Sequence, residues 1–445
     1  MVRGSSNAIQ GRLTGACLVK IAQVSAYQIF DSRGKPTLEA EVILSDGSRG
    51  RGAVPSGASK GQYEALELRD KDPKRFRGDS VFTAIRNVET ILGPALIQRA
   101  ELNQRDLDRS MIELDGTPAK SRLGANAILA VSMAYANAAA VSAGIPLHAY
   151  LGDGTLLPLP EVQIIGGGAH ANRTIDVQDF MIVAVRARSY AEVMEITHDV
   201  YHATAELLRE QGKFAGVADE GGFWPELSSH EQVFDVVLAG IERAGYQPGH
   251  DVGLSLDIAA SDFYDEKKSE YSFHSEKRFF SSEDFAQMLA GWCKSYPIVS
   301  IEDPMADVDW AGWCQFRALA PKGLQIVGDD LFTSHLERIL TGIAKQVANA
   351  VLIKLNQIGT VTETLDAIRL TQSAGWSPVV SARSGETEDA FISHLAVATA
   401  AGQLKVGAFA RSERLVKWNE VIRIERELGE KATFAGAKLF AGKCN

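Results

Sequence analysis

The sequence predicts an α/β protein in which a TIM-like (β/α)8-type barrel follows an N-terminal α+β capping domain. Between Val252 and Phe409 a short apolar run recurs six times, and each run stops at a charged or hydroxyl residue before a polar loop and a helical segment. The charged residues that close the runs are 22 to 45 positions apart. That spacing suits one strand and one helix per unit, which is typical of a (β/α) barrel.

The region before the barrel predicts a different arrangement. Val19 to Leu44 alternates apolar and polar residues around Asp31-Ser-Arg-Gly34, which predicts a hairpin, and a third strand is expected near residues 48–54. Helical patterns then dominate from Val81 to Gly144, and Pro158 marks the expected crossing into the barrel. We therefore predict a disordered extension at residues 1–17, an N-terminal α+β domain at 18–152 and a barrel with the active site at 153–445.

Composition and charge restrict the partners and the compartment. Of the 445 residues, 45% are apolar and 23% charged, and the net charge of -10 argues against nucleic acid or a membrane surface as a partner. No uninterrupted apolar stretch is long enough to span a bilayer, and the first 15 residues lack the apolar core of a signal peptide. The four cysteines show no paired spacing, so neither a disulfide framework nor a zinc site is indicated. We expect a cytoplasmic protein.

The residues that close the six runs should meet in one pocket, because the strand ends of a barrel open onto the same face. Three of them are acids, at Asp257, Glu302 and Asp329. Any one acid at a strand end is equally well explained as the N-cap of the next helix. Three in successive units, with no His or Cys among them, suit Mg²⁺, which prefers oxygen ligands.

The other three runs end in cations. Lys354 closes the most apolar run, and we expect burial and the nearby Arg383 and Lys405 to lower its pKa, so that it acts as a general base. Arg383 is followed by Ser384, and a planar guanidinium beside a hydroxyl suits a phosphate group. Together with the acids, these residues indicate proton abstraction next to a carboxylate, with Mg²⁺ stabilising the product of that step.

Two glycine-flanked segments add candidates for the same pocket. They contain His170 and the pair Asp219 and Glu220, and glycine allows backbone to approach a ligand closely. A small-residue loop at Pro55 to Gly61 is of the kind that can fold over a ligand. His170 alone would more often be a structural histidine.

With these residues in place, the chain resembles the enolase (phosphopyruvate hydratase) family from about Val19 onward. The resemblance implies a first Mg²⁺ on the three acids and a second that arrives with the substrate. It also implies a two-fold dimer in which Glu39 and Arg423 pair across the interface. The motifs that carry the resemblance are Phe30-Asp-Ser-Arg-Gly, Val54-Pro-Ser-Gly-Ala-Ser59, Asp219-Glu-Gly-Gly222, Ser300-Ile-Glu-Asp-Pro304, Gly328-Asp-Asp-Leu331, Leu352-Ile-Lys-Leu-Asn-Gln-Ile-Gly359, Arg383-Ser-Gly-Glu-Thr-Glu-Asp389 and Arg411-Ser-Glu-Arg414.

Roles follow from the resemblance position by position. Lys354 would take the proton from C2 of a small phosphorylated carboxylic acid, Lys405 would neutralise its carboxylate, and Glu220 would act on the departing hydroxyl. The implied catalytic residues are Lys354, Glu220, Lys405, His170 and Asp179; the substrate-binding residues are Arg383, Ser384, Gln178, Ser381, Ala382 and Lys60; the metal ligands are Asp257, Glu302, Asp329 and Ser59.

Four positions depart from the family pattern. Family members usually have histidine at Ala382, glutamate at Asp179, threonine at Lys60 and asparagine at Gly166. Shortening an acid by one methylene can cost about 100-fold in rate through lost positioning. Loss of a histidine that donates a proton typically costs about 100- to 10,000-fold. Because Ala382 and Asp179 both face the departing hydroxyl, these departures predict altered chemistry on that side of the pocket.

The main hypothesis is that formation of the enolate is retained and the leaving-group side is rebuilt. Ala382 and Gly166 would open volume and Lys60 would add charge, so that a second, phosphonate-bearing substrate could enter, as in carboxyphosphonoenolpyruvate synthase of phosphonate biosynthesis. The alternative is an ordinary enolase with compensated substitutions. A non-enzymatic enolase-derived scaffold and a racemase or cycloisomerase of the wider superfamily rank lower, because the acids, both lysines and the Arg-Ser pair are all present.

Overall fold

The computed structural model describes residues 19–57, 61–99 and 103–440. The predicted disordered extension at 1–17, together with Ser59 and Lys60, lies outside the described residues. The described chain forms an N-terminal α+β part and a closed barrel, as the sequence predicts.

The N-terminal part is built on a three-stranded antiparallel sheet in the order β1-β2-β3. Alternation along the central strand buries Leu38, Ala40 and Val42 on one face, where a long helix, α4, packs. The helix approaches so closely that a Cβ at Gly50 would lie 2.2 Å from the backbone nitrogen of Ala138. The elements are β1 (Ile21–Phe30), β2 (Pro36–Leu44), β3 (Arg49–Ala53), α1 (Phe82–Asn87), α2 (Gly93–Ile97), α3 (Gln104–Asp115), α4 (Ala125–Ser142) and α5 (Leu147–Leu151).

Helix α4 is long and apolar enough to cross a membrane by length and composition. However, 83% of its residues are buried inside the fold. The alanine-rich sequence that made this helix apolar also lets it lie directly on the sheet, because small side chains permit a close approach of the two backbones.

The second part contains the barrel and its helices. Its strands are β4 (Leu156–Leu157), β5 (Leu159–Gly166), β6 (Asp179–Val183), β7 (Phe214–Val217), β8 (Phe223–Pro225), β9 (Gly253–Asp257), β10 (Tyr264–Asp265), β11 (Glu270–Phe273), β12 (Arg278–Ser281), β13 (Ile298–Glu302), β14 (Gln325–Gly328), β15 (Ala350–Ile353), β16 (Ser377–Ser381), β17 (Gln403–Ala408) and β18 (Thr433–Phe434). Its helices are α6 (Tyr190–Glu210), α7 (His230–Arg243), α8 (Ser282–Ser295), α9 (Trp310–Leu319), α10 (Leu336–Lys345), α11 (Leu355–Ile358), α12 (Val361–Ser373), α13 (Phe391–Ala398) and α14 (Ser412–Leu428).

Eight strands close the barrel in the order β5-β6-β9-β13-β14-β15-β16-β17, and β17 returns to pair with β5. All six apolar runs found in the sequence form strands of this barrel. One strand differs from an all-parallel barrel, since β6 runs antiparallel to both β5 and β9. Asp179, the first residue of β6, therefore pairs with Asp257, the last residue of β9. The reversed strand brings its beginning, rather than its end, to the rim where the other strands finish.

Candidate active site

The predicted strand-end residues lie around one cleft at the rim of the barrel. Asp257 and Glu302 are the last residues of β9 and β13, and Lys354 directly follows β15. Ser381 ends β16 and Lys405 lies within β17. The cleft is lined by Gln178, Asp179, Glu220, Asp257, Lys354, Ser381, Ala382, Arg383, Ser384, Lys405 and Val406.

Some of the other predicted site residues do not line the cleft, and others have side chains outside the described part of the structure. Asp219 is half-buried in the turn between β7 and β8, whereas its neighbour Glu220 is buried and lines the cleft. His170 lies in a short 3-10 turn, Gly168–Ala171, and its side chain is outside the described part of the structure. Ser59 and Lys60 are also outside it, so their predicted roles stay predictions.

Lys405 occupies the middle of an acidic cluster. Its Nζ atom lies 2.8 Å from Asp257, 2.7 Å from Glu302 and 3.6 Å from Asp179. Burial alone lowers the pKa of Lys405, but the three carboxylates raise it well above its usual value. Burial, together with the neighbouring Asp257, also raises the pKa of Glu302. The protonation states of Lys405 and of the carboxylates around it therefore depend on one another.

The pKa expected for Lys354 was wrong in direction. The Nζ atom of Lys354 lies 2.5 Å from Asp329 Oδ2. Burial and the cations Arg383 and Lys405 lower the pKa as predicted, but Asp329 outweighs them and raises it above the ordinary value. Gln357 holds the other oxygen of Asp329 at 2.7 Å, so the acid that pairs with Lys354 is fixed in place.

The acids offer the oxygen donors that Mg²⁺ prefers. Oε1 of Glu302 and the amide oxygen of Gln178 are buried and receive no hydrogen bond from any residue that the structure describes. An orphaned, buried carboxylate oxygen beside other carboxylates fits a metal ligand, because leaving it without a partner is costly. Gln178 also donates to Asp257 at 2.8 Å, which fixes that carboxylate.

Among the described residues, the three acids whose oxygens lie within 4.8 Å of one another are Asp303, Asp329 and Asp330, rather than the predicted set. Two reasons are visible. The ammonium group of Lys405 lies between Asp257 and Glu302, as described above. In addition, the two oxygens of Asp303 accept the backbone N–H groups of Asp329 and Asp330 at 2.8 and 2.7 Å, so Asp303 shapes the loop that carries Asp329.

The shortened acid Asp179 is held by a partner that sequence reasoning missed. The side-chain amide of Gln163, on β5, donates to Asp179 Oδ1. The amide oxygen of Gln163 accepts the backbone N–H of Gly222 at 2.8 Å. Gln163 therefore joins Asp179 to the turn that carries Glu220, and the carboxylate reaches the cleft despite its short side chain.

The prediction that Gly166 opens volume was wrong. A Cβ at this position would lie 2.5 Å from the Cβ of Ala218 and 3.3 Å from the amide nitrogen of Gln163. The glycine is therefore required by close packing between β5 and the segment before Glu220. Ala382 does line the cleft, where it is buried and its N–H donates to the carbonyl of Lys405 at 2.9 Å.

The predicted phosphate pair, Arg383 and Ser384, is surrounded by residues from the N-terminal part. Arg383 is bound by Glu64 and by Asn356, and Arg33 donates to the hydroxyl of Ser384 at 3.3 Å. Burial lowers the pKa of Arg383, but Glu64 raises it above its usual value. Arg33 belongs to the Phe30-to-Gly34 motif, which could have marked it, whereas nothing in the sequence pattern distinguished Glu64.

The segment that carries Gln178 is fixed from outside the cleft. Nε2 of the buried His230 accepts the N–H groups of Asp176 and Val177 at 3.2 and 3.3 Å. Nδ1 of the same ring lies 2.5 Å from Glu276, which sets the tautomer in which Nε2 can accept. The small sheet formed by β10, β11 and β12 thus supports one side of the cleft.

Comparison with known proteins gives consistent matches. The family model described as the enolase N-terminal domain matches residues 21–151, and the one described as the enolase C-terminal TIM barrel domain matches residues 154–443. The curated protein named Enolase 1, from Desulfitobacterium hafniense (strain Y51), is 50% identical over 425 residues, which cover 95% of this chain and 97% of that protein. The similarity extends across both parts of the fold.

Proposed function

Because this chain belongs to the enolase family, we propose that it catalyses the ordinary enolase reaction, the reversible loss of water from 2-phosphoglycerate to give phosphoenolpyruvate. The observation that carries this proposal is the 50% identity to a protein named Enolase 1 over nearly the full length of both chains. The cleft supports it, because it combines buried acids, two lysines and an arginine at one barrel rim.

The phosphonate-forming reaction, our main hypothesis from the sequence, is not supported by the comparisons. The structure also weakens two of its premises. Gly166 is filled by close packing rather than open, and Asp179 is held in the cleft by Gln163. These contacts are what the alternative hypothesis of compensated substitutions requires. The substitution at Ala382 has no structural explanation.

The reaction divides between two sides of the cleft. Lys354 takes the proton from C2 as the free amine, so the pair with Asp329 that raises its pKa must weaken when the substrate is bound. Lys405 offsets the negative charge that develops on the carboxylate. Asp257, Glu302 and Asp329 would hold Mg²⁺, which would supply stabilisation of that charge. Glu220 gives a proton to the C3 hydroxyl, which leaves as water.

Arg383 and Ser384 bind the phosphate group of the substrate. A guanidinium matches the geometry of phosphate oxygens, and both residues line the cleft within the same turn after β16. Lys60 would contribute to substrate binding and Ser59 would help to bind the second Mg²⁺, and both lie outside the described residues. We also propose that the protein binds two Mg²⁺ ions, the second with the substrate.

The test uses purified protein with Mg²⁺ and 2-phosphoglycerate, and it follows phosphoenolpyruvate by absorbance. We expect steady turnover, and we expect Lys354→Met to lower the rate by about 100- to 10,000-fold, the range typical for loss of a general base. Lys345→Met, a change at the exposed end of α10, is the matched control and should retain the rate. Mg²⁺ binding without any formation of phosphoenolpyruvate would contradict the proposal and favour the scaffold.

The predicted dimer stays a proposal. Arg423 donates to Glu420 at 2.6 Å within the same chain, and Glu39 lies 4.0 Å from Arg51. Burial raises the pKa of Glu39, the predicted interface acid. We retain the homodimer, a cytoplasmic location and a small phosphorylated acid as the substrate class on the strength of the family.

A further inference from the structure

The guanidinium of Arg383 is held by a carboxylate from the other part of the chain. Nη1 of Arg383 lies 3.0 Å from Glu64 Oε2, and Nη2 lies 3.2 Å from Glu64 Oε1. Nη1 also donates to Asn356 Oδ1 at 3.0 Å. The side chains of Arg383 and Glu64 are only 4% and 8% exposed. Two hydrogen bonds to one planar carboxylate fix both the position and the plane of the guanidinium.

Glu64 reaches Arg383 from outside the active cleft. Arg383 lines the cleft, whereas Glu64 lines a neighbouring cavity together with Tyr63, His335 and Gln357. Glu64 is itself held, because the backbone N–H of Gly61 donates to its Oε1 atom at 3.1 Å. Glu64 is therefore absent from the residues that line the active cleft, whereas its partner Arg383 is among them.

A buried arginine has many rotamers, and each wrong rotamer would point its charge away from the substrate. Fixing the side chain before the ligand arrives reduces the entropy lost on binding. Glu64 is well placed for this because it belongs to the N-terminal part, while Arg383 follows β16 of the barrel. The pair also links the two parts of the chain at the point where the phosphate would bind.

We propose that Glu64 is a positioning residue for phosphate binding, which holds both terminal nitrogens of Arg383 and so fixes the guanidinium at the edge of the cleft. This inference rests on the proposed function, since it assigns the phosphate of the substrate to Arg383. Glu64 is not among the residues that line the cleft. Its removal should weaken binding of the phosphate group in the ground state and in the transition state alike, which raises KM and leaves kcat nearly unchanged.

The experiment compares Glu64→Gln with the unchanged protein, in both cases with Mg²⁺ bound. Binding of inorganic phosphate is measured by calorimetry, and KM and kcat for 2-phosphoglycerate are measured separately. We expect phosphate affinity to fall and KM to rise by about 10- to 100-fold, the scale of losing one hydrogen bond between charged groups. Glu64→Asp keeps the charge but shortens the reach, so it should give an intermediate KM, and it also serves if Glu64→Gln does not fold.

The matched control is Glu363→Gln. Glu363 pairs with Lys120 at 3.0 Å, which is another partly buried contact between the N-terminal part and the barrel and does not involve Arg383. A similar rise in KM in this control would show that loss of docking between the two parts is responsible, and would overturn the proposal. Unchanged or tighter phosphate binding in Glu64→Gln would also overturn it, because Glu64 would then be a competitor for Arg383.

The phosphate measurement separates this inference from the proposed function. If the unchanged protein binds phosphate but does not turn over 2-phosphoglycerate, the proposed function fails, and the effect of Glu64 on phosphate binding is still measured. If turnover is normal and the Glu64 variants keep the original KM, the positioning role fails alone.

Discussion

The Nζ atom of Lys405 lies 2.7 Å from Oε2 of Glu302, and both side chains are almost completely buried at the rim of the barrel. The same ammonium group lies 2.8 Å from Asp257. A buried charge of either sign is tolerated only with its partners, so the lysine and the acids depend on one another. Any change to one of them should therefore alter both ion binding and the charge of the cleft.

The first prediction concerns Glu302, whose Oε1 atom receives no hydrogen bond from the described residues. Glu302→Gln removes the negative charge while keeping the shape of the side chain. We expect Mg²⁺ binding, measured by calorimetry, to weaken by more than the roughly 10- to 100-fold that is typical of losing an outer contact to a metal site.

The control for this prediction is Glu161→Gln. Glu161 is also a buried carboxylate inside the barrel, but it binds Ser255 and Gln403 rather than the cleft residues. The control should keep its Mg²⁺ affinity. If Glu302→Gln binds Mg²⁺ as tightly as the unchanged protein, Glu302 is not a ligand and the assignment of the three acids is wrong.

Barrel geometry explains why so much of this cleft could be predicted. Strand ends recur at regular spacing in the sequence, and the fold brings them to one rim, so Asp257, Glu302 and Lys354 could be found without coordinates. The sign of the shift in the pKa of Lys354 could not be found, because it depends on a distance of 2.5 Å to Asp329. The spacing of residues along the sequence does not determine the distance between two side-chain atoms.

The supporting residues were missed for a related reason. Gln163 and Glu64 act through contacts between segments that are distant in sequence, and no local pattern marks either residue. Gly166 shows the same limit, since a missing side chain predicts open space only until a neighbour such as the Cβ of Ala218 is placed beside it. These contacts depend on strand register and packing, which a pattern of apolar runs does not determine.

The second prediction concerns the link between Gln163 and Asp179. Gln163→Leu has a similar size but cannot donate to the carboxylate or accept from Gly222. We expect kcat for 2-phosphoglycerate to fall by about 100-fold, because the acid loses its position in the cleft. KM should change little, since no hydrogen bond of Gln163 within the described structure involves the predicted phosphate pair.

The comparison for this prediction is Gln325→Leu. Gln325 is likewise a buried amide of the barrel, and it binds Gln403 rather than a cleft residue. Equal losses of kcat in the two variants would show that any buried amide of the barrel has this effect. The particular role of Gln163 would then be disproved.

The third prediction tests the packing at Gly166. A Cβ there would lie 2.5 Å from the Cβ of Ala218, so Gly166→Ala must displace one of the two segments. We expect the free energy of unfolding, measured by urea denaturation, to fall by about 1–3 kcal/mol, as is typical of an overpacked core. Restoring the space with Ala218→Gly in the same chain should recover part of the loss.

The control for the glycine is Gly291→Ala in helix α8. A Cβ at Gly291 would meet no atom within 4 Å. Alanine in a helix interior is more stable than glycine by roughly 0.5–1 kcal/mol, so this variant should become slightly more stable. A Gly166→Ala protein that is as stable as the unchanged one would restore the earlier interpretation that the glycine leaves open volume.

The last prediction concerns the stability of the fold at low pH, and the part played by the contact between Glu276 and His230 beside the cleft. Burial raises the pKa of Glu276, but the hydrogen bonds from His230 and Arg278 outweigh burial and lower that pKa to about 2. Glu276 therefore stabilises the folded state above the pKa of about 4.5 that it has in an unfolded chain, and this contribution is lost as the pH falls from about 4.5 to about 2.

The measurement compares the urea midpoints of the unchanged protein and Glu276→Gln between pH 7 and pH 2.5. We expect the variant to be less stable at pH 7 and the difference to shrink below pH 4.5, because the unchanged protein loses the same interaction as its carboxylate is protonated. Glu113→Gln is the control, since Glu113 forms an exposed pair with Arg109 that contributes little at any pH. A difference between Glu276→Gln and the unchanged protein that stays constant down to pH 2.5 would show that the charge of Glu276 does not stabilise the support beneath Gln178.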